Sequence, residues 1–183
     1  MKKVLSILMA SVLFFATFAI GISAERSHPS LRFNEDGKFR ILQVADLQDN
    51  AVLNPVAKDF LKAAIENEKP DLIVLTGDNF AGYSTGTNIC HTIDKSLAKK
   101  AIDEYMSIFE KYGIPVTMVP GNHDDDDIKL TKEEELAMYE KYTCFIGYDA
   151  EPEMYGCGTH NLPIYSSFPP IYPLCSYVQN HPT

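Results

Sequence analysis

Three apolar segments of this chain each end in a short polar motif. Residues 39–45 lead into Asp46-Leu47-Gln48, residues 72–76 into Gly77-Asp78-Asn79, and residues 114–120 into Gly121-Asn122-His123-Asp124. Apolar runs of this length, separated by segments of helical periodicity, are typical of buried parallel strands. Because ligands of open parallel sheets bind beyond the carboxyl ends of the strands, the three motifs are expected to meet at one crevice.

The segment between the first two runs predicts a helix. Asn54 followed by Pro55 is typical of an N-cap and a first helical residue. The apolar residues of this helix are expected to face the sheet; they are Val56, Phe60, Leu61, Ala64 and Ile65.

Two further helices are indicated by their capping signals. Asp94 is the predicted N-cap of the second, which runs to about Tyr112 and stops at Gly113. Its predicted buried face consists of Leu97, Ala101, Ile102, Tyr105 and Phe109. Residues 131–134 have capping-box spacing and open a third helix to about Tyr142. Alternating strands and helices predict a layered α/β fold.

The amino terminus has the pattern of a secretory signal peptide. Met1-Lys2-Lys3 is basic, residues 4–20 are largely apolar, and Ala24 is a small residue at the expected cleavage point. We therefore expect residues 1–24 to be removed and the protein to be secreted or extracytoplasmic, with no membrane span afterwards. An uncleaved anchor is the alternative, because the apolar run is slightly long for a signal peptide, although a membrane helix usually needs about 20 apolar residues.

The net charge limits the possible binding partners, and the cysteine content bears on zinc binding and disulfide formation. The net charge of −9 argues against high-affinity binding of nucleic acid, which needs Lys and Arg for phosphate contacts. The four cysteines are Cys90, Cys144, Cys157 and Cys175, and their spacing matches no compact zinc motif. Two disulfides and buried free thiols both remain open.

Two segments differ in character from the predicted elements. Residues 82–92 are rich in Gly, Ser, Thr and Asn and form a candidate rim of the crevice, although a plain solvated connection explains them equally well. Residues 168–183 contain four prolines and lack helical or strand periodicity.

The polar motifs have the residue types of a dinuclear metal site for phosphate-ester hydrolysis. Such a site needs a bridging carboxylate, further oxygen or nitrogen ligands and a proton donor. Asp78 suits the bridge, and Asp46 and Asn122 each suit one metal. His123 has the chemistry to protonate the leaving oxygen, with Asp124 orienting its ring. Taken singly, each residue has a local explanation as a cap or turn.

These motifs resemble the calcineurin-like metallophosphoesterase superfamily, whose pattern is D-x-H, then G-D, then G-N-H-[DE], each after a buried strand. The resemblance covers residues 39–167 and implies a layered β-sandwich with flanking helices. It implies that Asp46, Asp78 and Asn122 bind metal and that His123 is catalytic. It further implies two divalent ions (Mn, Fe or Zn) and a phosphate ester as the substrate, and the acidic charge balance favours a small phosphate ester over a large polynucleotide.

The sequence departs from this pattern in two places. Gln48 stands where the superfamily has a metal-binding His, and its amide oxygen remains a ligand for a hard cation. The later G-H and G-H-x-H motifs are not found, and neither His160 nor His181 is expected to replace them. We therefore expect residues 25–167 to be the N-terminal portion of an incomplete domain. Residues 168–183 would then be an unmatched tail that follows a truncation or a frame shift.

Three functions are compatible with the sequence. The leading one is a metal-dependent phosphoesterase. The second is an inactive remnant or binding module that keeps the fold without a complete metal site, which Gln48 favours. The third is a calcium-binding domain built on the acidic run of residues 124–127, although this run lacks the spacing of an EF-hand loop.

Overall fold

A computed structural model describes residues 29–82, 94–124, 126 and 128–167. The predicted signal peptide, most of the expected rim loop, Cys90, Cys175, His181 and the proline-rich segment lie outside these residues. Within the described part of the chain, no helix is both long enough and apolar enough to cross a membrane.

Strands and helices alternate along the chain as predicted. In chain order the elements are β1 (Leu31–Arg32), β2 (Ile41–Val44), α1 (Pro55–Glu68), β3 (Leu72–Leu75), α2 (Lys95–Tyr112), β4 (Val116–Met118), α3 (Lys132–Tyr139) and β5 (Ile164–Tyr165). The three predicted strands are all present but shorter than their apolar runs, because the ends of each run leave the hydrogen-bonded ladder.

A parallel sheet in the order β2-β3-β4 forms the centre of the fold. Val44 pairs with Leu75, and Leu75 pairs with Met118, so the last residues of the three strands lie side by side. The chain segments that follow these strands therefore leave the sheet at the same edge. This arrangement places the three polar motifs next to one another.

Helix α1 has the predicted start but a different buried face. The Asn54 side chain accepts a hydrogen bond from the Val56 N–H, and Pro55 is the first helical residue. Leu61 and Ile65 are buried, whereas Val56 and Phe60 are 76% and 70% exposed, so their predicted packing on the sheet is wrong. At 100° per residue the two pairs lie roughly 140° apart around the helix, and one packed stripe cannot hold both.

Helices α2 and α3 follow their capping signals. The Asp94 carboxylate accepts from the N–H groups of Ser96 and Leu97, and Gly113 closes α2 in the left-handed conformation at φ 66°. All the predicted buried residues of α2 are buried except Leu97, which is half-buried. Helix α3 has the predicted capping box but ends at Tyr139 rather than Tyr142, because the chain turns there.

Alternate residues of β3 belong to different layers. Ile73 and Leu75 join the core that the sheet shares with all three helices, whereas Leu72 packs on the opposite face in a smaller cluster with Leu31 and Ile146. That second face is partly covered by a small parallel pair formed by β1 and β5. The layered α/β prediction is confirmed. His160 precedes β5 and lies outside the strands.

Candidate active site

Asp78 connects the three polar motifs at the carboxyl edge of the sheet. Its carbonyl oxygen accepts a 3.0 Å hydrogen bond from the Gln48 N–H, and its Oδ1 accepts a 2.9 Å bond from the His123 N–H. The Asp46 N–H also donates to the Gly77 carbonyl at 3.3 Å. The structure thus joins the first motif to the second and the second to the third. Asp78 lies at the junction.

Three of the candidate ligands have left-handed backbone. Asp46, Gln48 and Asp78 have φ values of 53°, 39° and 51°, in the region that residues with a Cβ rarely adopt. Such conformations persist only where the surrounding structure holds them, and they cluster at functional sites. Their concentration in two adjoining strand-end loops supports a functional role for this edge of the sheet.

Gly121 allows the second and third motifs to approach closely. A Cβ at Gly121 would lie 2.1 Å from the Asp78 nitrogen and 2.2 Å from its Oδ1. Gly77 faces the same contact from the other side, since its Cβ would lie 2.8 Å from the Gly121 Cα. The two glycines of the motifs therefore serve loop-to-loop packing as well as turn formation.

Asp124 is fully buried, and its carboxylate connects the second and third motif loops by hydrogen bonds from their backbone N–H groups. Its Oδ1 accepts from the N–H groups of Asn79 and Phe80 at 2.7 and 3.2 Å, and its Oδ2 accepts from Gly121 at 2.8 Å. Burial raises the pKa of the Asp124 carboxyl, and the three hydrogen bonds oppose that shift. Both carboxylate oxygens therefore bond to backbone N–H groups.

The His123 ring contacts a different carboxylate. Its Nδ1 is bonded to Oδ2 of Asp126, three residues further along the chain. This hydrogen bond raises the pKa of His123, and the negative charges of Asp126, Asp78 and Asp124 act in the same direction, while partial burial opposes them. The sequence analysis assigned ring orientation to Asp124. In the structure the side chain that meets Nδ1 is Asp126, and the catalytic roles of His123 and Asp124 stay predictions.

The predicted ligands fit part of a metal site. Asp46, Gln48, Asp78 and Asn122 supply carboxylate and amide oxygens, which suit a hard divalent cation. Asp46 and Asn122 are exposed, and Gln48 and Asp78 are half-buried, so all four lie within reach of solvent. However, the described residues contain no group of three or more His, Cys, Asp or Glu side chains able to hold a metal. Two ions with six-fold or greater coordination would need further ligands.

Lys132 is a site neighbour that the sequence analysis missed. Its ammonium group donates a 2.9 Å hydrogen bond to the Gly121 carbonyl, at the start of the motif that carries Asn122 and His123. Lys132 is the first residue of α3, and nothing in its sequence surroundings distinguishes it from other surface lysines. Only the packing of α3 against the third loop brings it to the site.

His160 lies away from the polar motifs. Its Nε2 is 2.7 Å from the Thr117 hydroxyl, its Nδ1 is 2.7 Å from the Gly158 carbonyl, and its ring packs against Tyr148. These contacts give His160 a structural explanation. Cys144 and Cys157 are free thiols in the structure, and burial raises the pKa of both, that of Cys157 to about 11.

Comparison with known families identifies one match. Residues 39–178 match the calcineurin-like phosphoesterase family, a span that includes all three motifs. The match begins at the first predicted strand and continues past Ser167 into the proline-rich segment.

Curated relatives resemble this chain over most of its length. "Probable inactive purple acid phosphatase 14" of Arabidopsis thaliana is 29% identical across 89% of this chain and 44% of the relative. "Probable inactive purple acid phosphatase 28" of the same plant is 36% identical across 52% of this chain and 26% of the relative. "Phosphatase DCR2" of Saccharomyces cerevisiae is 27% identical across 84% of this chain and 28% of the relative. The chain therefore spans less than half the length of these relatives.

Proposed function

Because this chain belongs to the calcineurin-like phosphoesterase family, we propose that its joined motifs form the site of a metal-dependent hydrolase of phosphate esters. The observation that carries the proposal is the position of Asp78. Its main-chain oxygen bonds to the first motif and its side chain to the third, so three strand ends converge on one residue. A carboxylate at such a junction suits the bridging position of a two-metal site.

The proposed ligands are Asp46, Gln48, Asp78 and Asn122. When bound, divalent ions supply a hydroxide near neutral pH and stabilise charge on the transferred phosphoryl group. The ions proposed are Mn, Fe or Zn, two per complete site. The oxygen-rich donor set of this chain favours the harder ions among these.

His123 is the proposed proton donor. As the ester P–O bond breaks, the leaving oxygen takes a proton from the imidazolium ring. The hydrogen bond from the His123 N–H to Asp78 holds its main chain beside the candidate bridging carboxylate. The acidic surroundings that raise the pKa of the ring keep it protonated at higher pH, which suits a general acid.

The proposed substrate is a small phosphate ester rather than a polynucleotide. The net charge of −9 disfavours a long polyanion, whose binding depends on clusters of Lys and Arg. Residues 1–24 support export, and we propose a secreted or extracytoplasmic location on that sequence evidence alone.

A non-catalytic binding module is the second candidate function. Gln48 in place of His supports it, as does the lack of a three-residue His, Cys, Asp or Glu cluster within the described ranges. Two of the similar plant proteins are also named as inactive phosphatases. The calcium-binding alternative is less well supported, because Asp124 bonds to three backbone N–H groups and Asp126 bonds to His123.

The experiment that tests the proposal is manganese-dependent hydrolysis of chromogenic phosphomonoesters and phosphodiesters by the purified full chain. Asp78→Asn serves as the matched inactive variant. We expect turnover in the wild-type protein that the variant lacks. Equal rates in both proteins would refute hydrolysis at this site.

Metal content separates the two candidates. Bound metal measured by elemental analysis after manganese loading is expected to reach two ions per chain for the complete site. Wild-type protein that retains no ion, and that binds none in calorimetry, would favour the non-catalytic module.

A further inference from the structure

We propose that Asp126 is a positioning residue that orients the His123 ring and holds its proton on Nδ1. The kinetic part of this proposal rests on the proposed function, whereas the ring geometry does not. Asp126 belongs to the acidic run of residues 124–127, which the sequence marks only as a candidate calcium site and as the source of Asp124.

Among the described residues, Asp126 is the side chain that bonds to Nδ1 of the ring. His123 is anchored at its N–H by Asp78, so its main chain is fixed, while the rotation of its side chain depends on contacts of the ring. Oδ2 of Asp126 bonds to Nδ1 of that ring. Asp124 is directed elsewhere, because its two oxygens accept from the Asn79, Phe80 and Gly121 backbones.

The chemistry of the pair determines where the proton lies. A carboxylate can only accept a hydrogen bond, so the Nδ1 that faces it must carry the hydrogen. With Nδ1 bound to Asp126, Nε2 is the ring nitrogen that would exchange a proton with a leaving group. A second group that selects the tautomer and direction of a catalytic imidazole is a recurring arrangement at active sites.

The contact is accessible enough to be changed without disturbing the core. The side chains of His123 and Asp126 are 43% and 40% exposed. Substitution of Asp126 is therefore expected to leave the thermal unfolding midpoint within about 2 °C of the wild-type value, since surface substitutions usually cost less than about 0.5 kcal/mol.

The first test is ¹⁵N NMR of the full chain in the absence of metal, with the His123 signals assigned through His123→Asn. At a pH where the ring is neutral, we expect wild-type His123 as the Nδ1–H tautomer. In Asp126→Ala it should return toward the Nε2–H tautomer that free histidine favours. Glu151→Gln removes one negative charge at an exposed position outside the acidic run and is expected to leave the wild-type tautomer in place.

An Nε2–H tautomer in the wild-type protein would overturn the proposal. So would an unchanged Nδ1–H tautomer in Asp126→Ala. An equal change in Glu151→Gln would also overturn it, because the effect would then come from the net charge of the protein rather than from the contact.

The second test is kinetic. Asp126→Ala is expected to lower kcat for a chromogenic phosphate ester about 10- to 100-fold, the range seen when the carboxylate that orients a metal-bound His is lost. KM should change less than about twofold, and Asp126→Glu should restore part of the loss. Unchanged kcat in an active enzyme would refute the positioning role. If the wild-type chain has no activity, the proposed function fails, and the NMR result alone decides the role of Asp126.

Discussion

The His123 N–H donates a 2.9 Å hydrogen bond to Oδ1 of Asp78, which joins two motifs that are 45 residues apart in the chain. The carboxylate proposed to bind metal therefore also fixes the backbone of the residue proposed to donate the proton. The loop structure and the proposed metal binding therefore depend on the same side chain. Different substitutions at Asp78 should therefore separate the loss of metal binding from the loss of the loop contact.

Asp78→Asn and Asp78→Ala are expected to abolish metal-dependent hydrolysis equally but to differ in stability. The Asn amide oxygen can still accept from the His123 N–H, whereas Ala leaves that group without its partner. Loss of a hydrogen bond to a charged group costs about 1.5–3 kcal/mol, so the free energy of unfolding should fall by that amount in the Ala variant only. Urea unfolding measures this difference. Equal destabilisation of the two variants would contradict the assigned contact.

Gln48→His should strengthen metal binding, because imidazole is a better ligand than a neutral amide for Zn and Fe ions. We expect the Kd for zinc to fall about tenfold or more, with a smaller gain for manganese. Isothermal titration calorimetry of the full chain checks this. Ser30→His, at an exposed position just before β1, introduces the same residue away from the motifs and is expected to leave the affinity unchanged. A gain of the same size in that control would show nonspecific binding.

Gly121→Ala should destabilise the protein more than Gly37→Ala does. The new methyl group would overlap the backbone and side chain of Asp78, and overpacking of this kind costs about 3 kcal/mol. Gly37 is the control, because its φ of 75° strains an alanine while the space around its Cβ is open. The cost there is expected to be about 1 kcal/mol. Chemical denaturation of the two variants measures which one loses more free energy of unfolding.

Glu110 should make stability depend on acid pH. Partial burial would raise the pKa of its carboxyl, but hydrogen bonds from Cys144 and Thr143 outweigh it and hold the pKa at about 2, below the ordinary 4.5. The carboxylate therefore adds stability that is fully present above pH 4.5 and is lost as the pH falls through about 2. Glu110→Gln removes this contribution. The gap in unfolding free energy between wild type and variant is thus expected to be largest near neutral pH and to narrow toward pH 2.

Urea unfolding at a series of pH values measures the effect of Glu110. Glu153→Gln, at an exposed position, removes one carboxylate and should leave the pH profile close to that of the wild type. A constant gap between wild type and Glu110→Gln from pH 7 to pH 2 would contradict the assigned linkage.

Local signals in the sequence predicted the three helices and the three strands of the central sheet, but not the short strands β1 and β5. Asn54, Asp94 and Thr131 cap helices because their side chains reach N–H groups only two or three residues away. Such contacts depend on neighbouring residues and are therefore written into short stretches of sequence. The apolar runs are also recognisable in short stretches of sequence. Their pairing as parallel strands places the three motifs at one edge of the sheet.

Local sequence signals did not predict which face of a helix is buried or which group a side chain contacts. Val56 and Phe60 fit the periodicity of helix α1 as well as Leu61 and Ile65 do, yet only the latter pair is buried. Tertiary packing decided between them, since Leu61 and Ile65 join the core cluster that contains strand residues such as Ile73 and Leu75. A helix with two apolar stripes has no local preference between them.

The sequence by itself determined the family, the order of strands and helices, and the candidate residues of the site. Only the tertiary structure decided which carboxylate meets the His123 ring. Asp124 and Asp126 are the same type of residue. However, Asp124 is buried and accepts hydrogen bonds from the backbones of Asn79, Phe80 and Gly121. Asp126 remains at the surface beside the imidazole. The difference arises because those N–H groups come from a loop about 45 residues earlier as well as from the motif itself, and the folded sheet brings the two together.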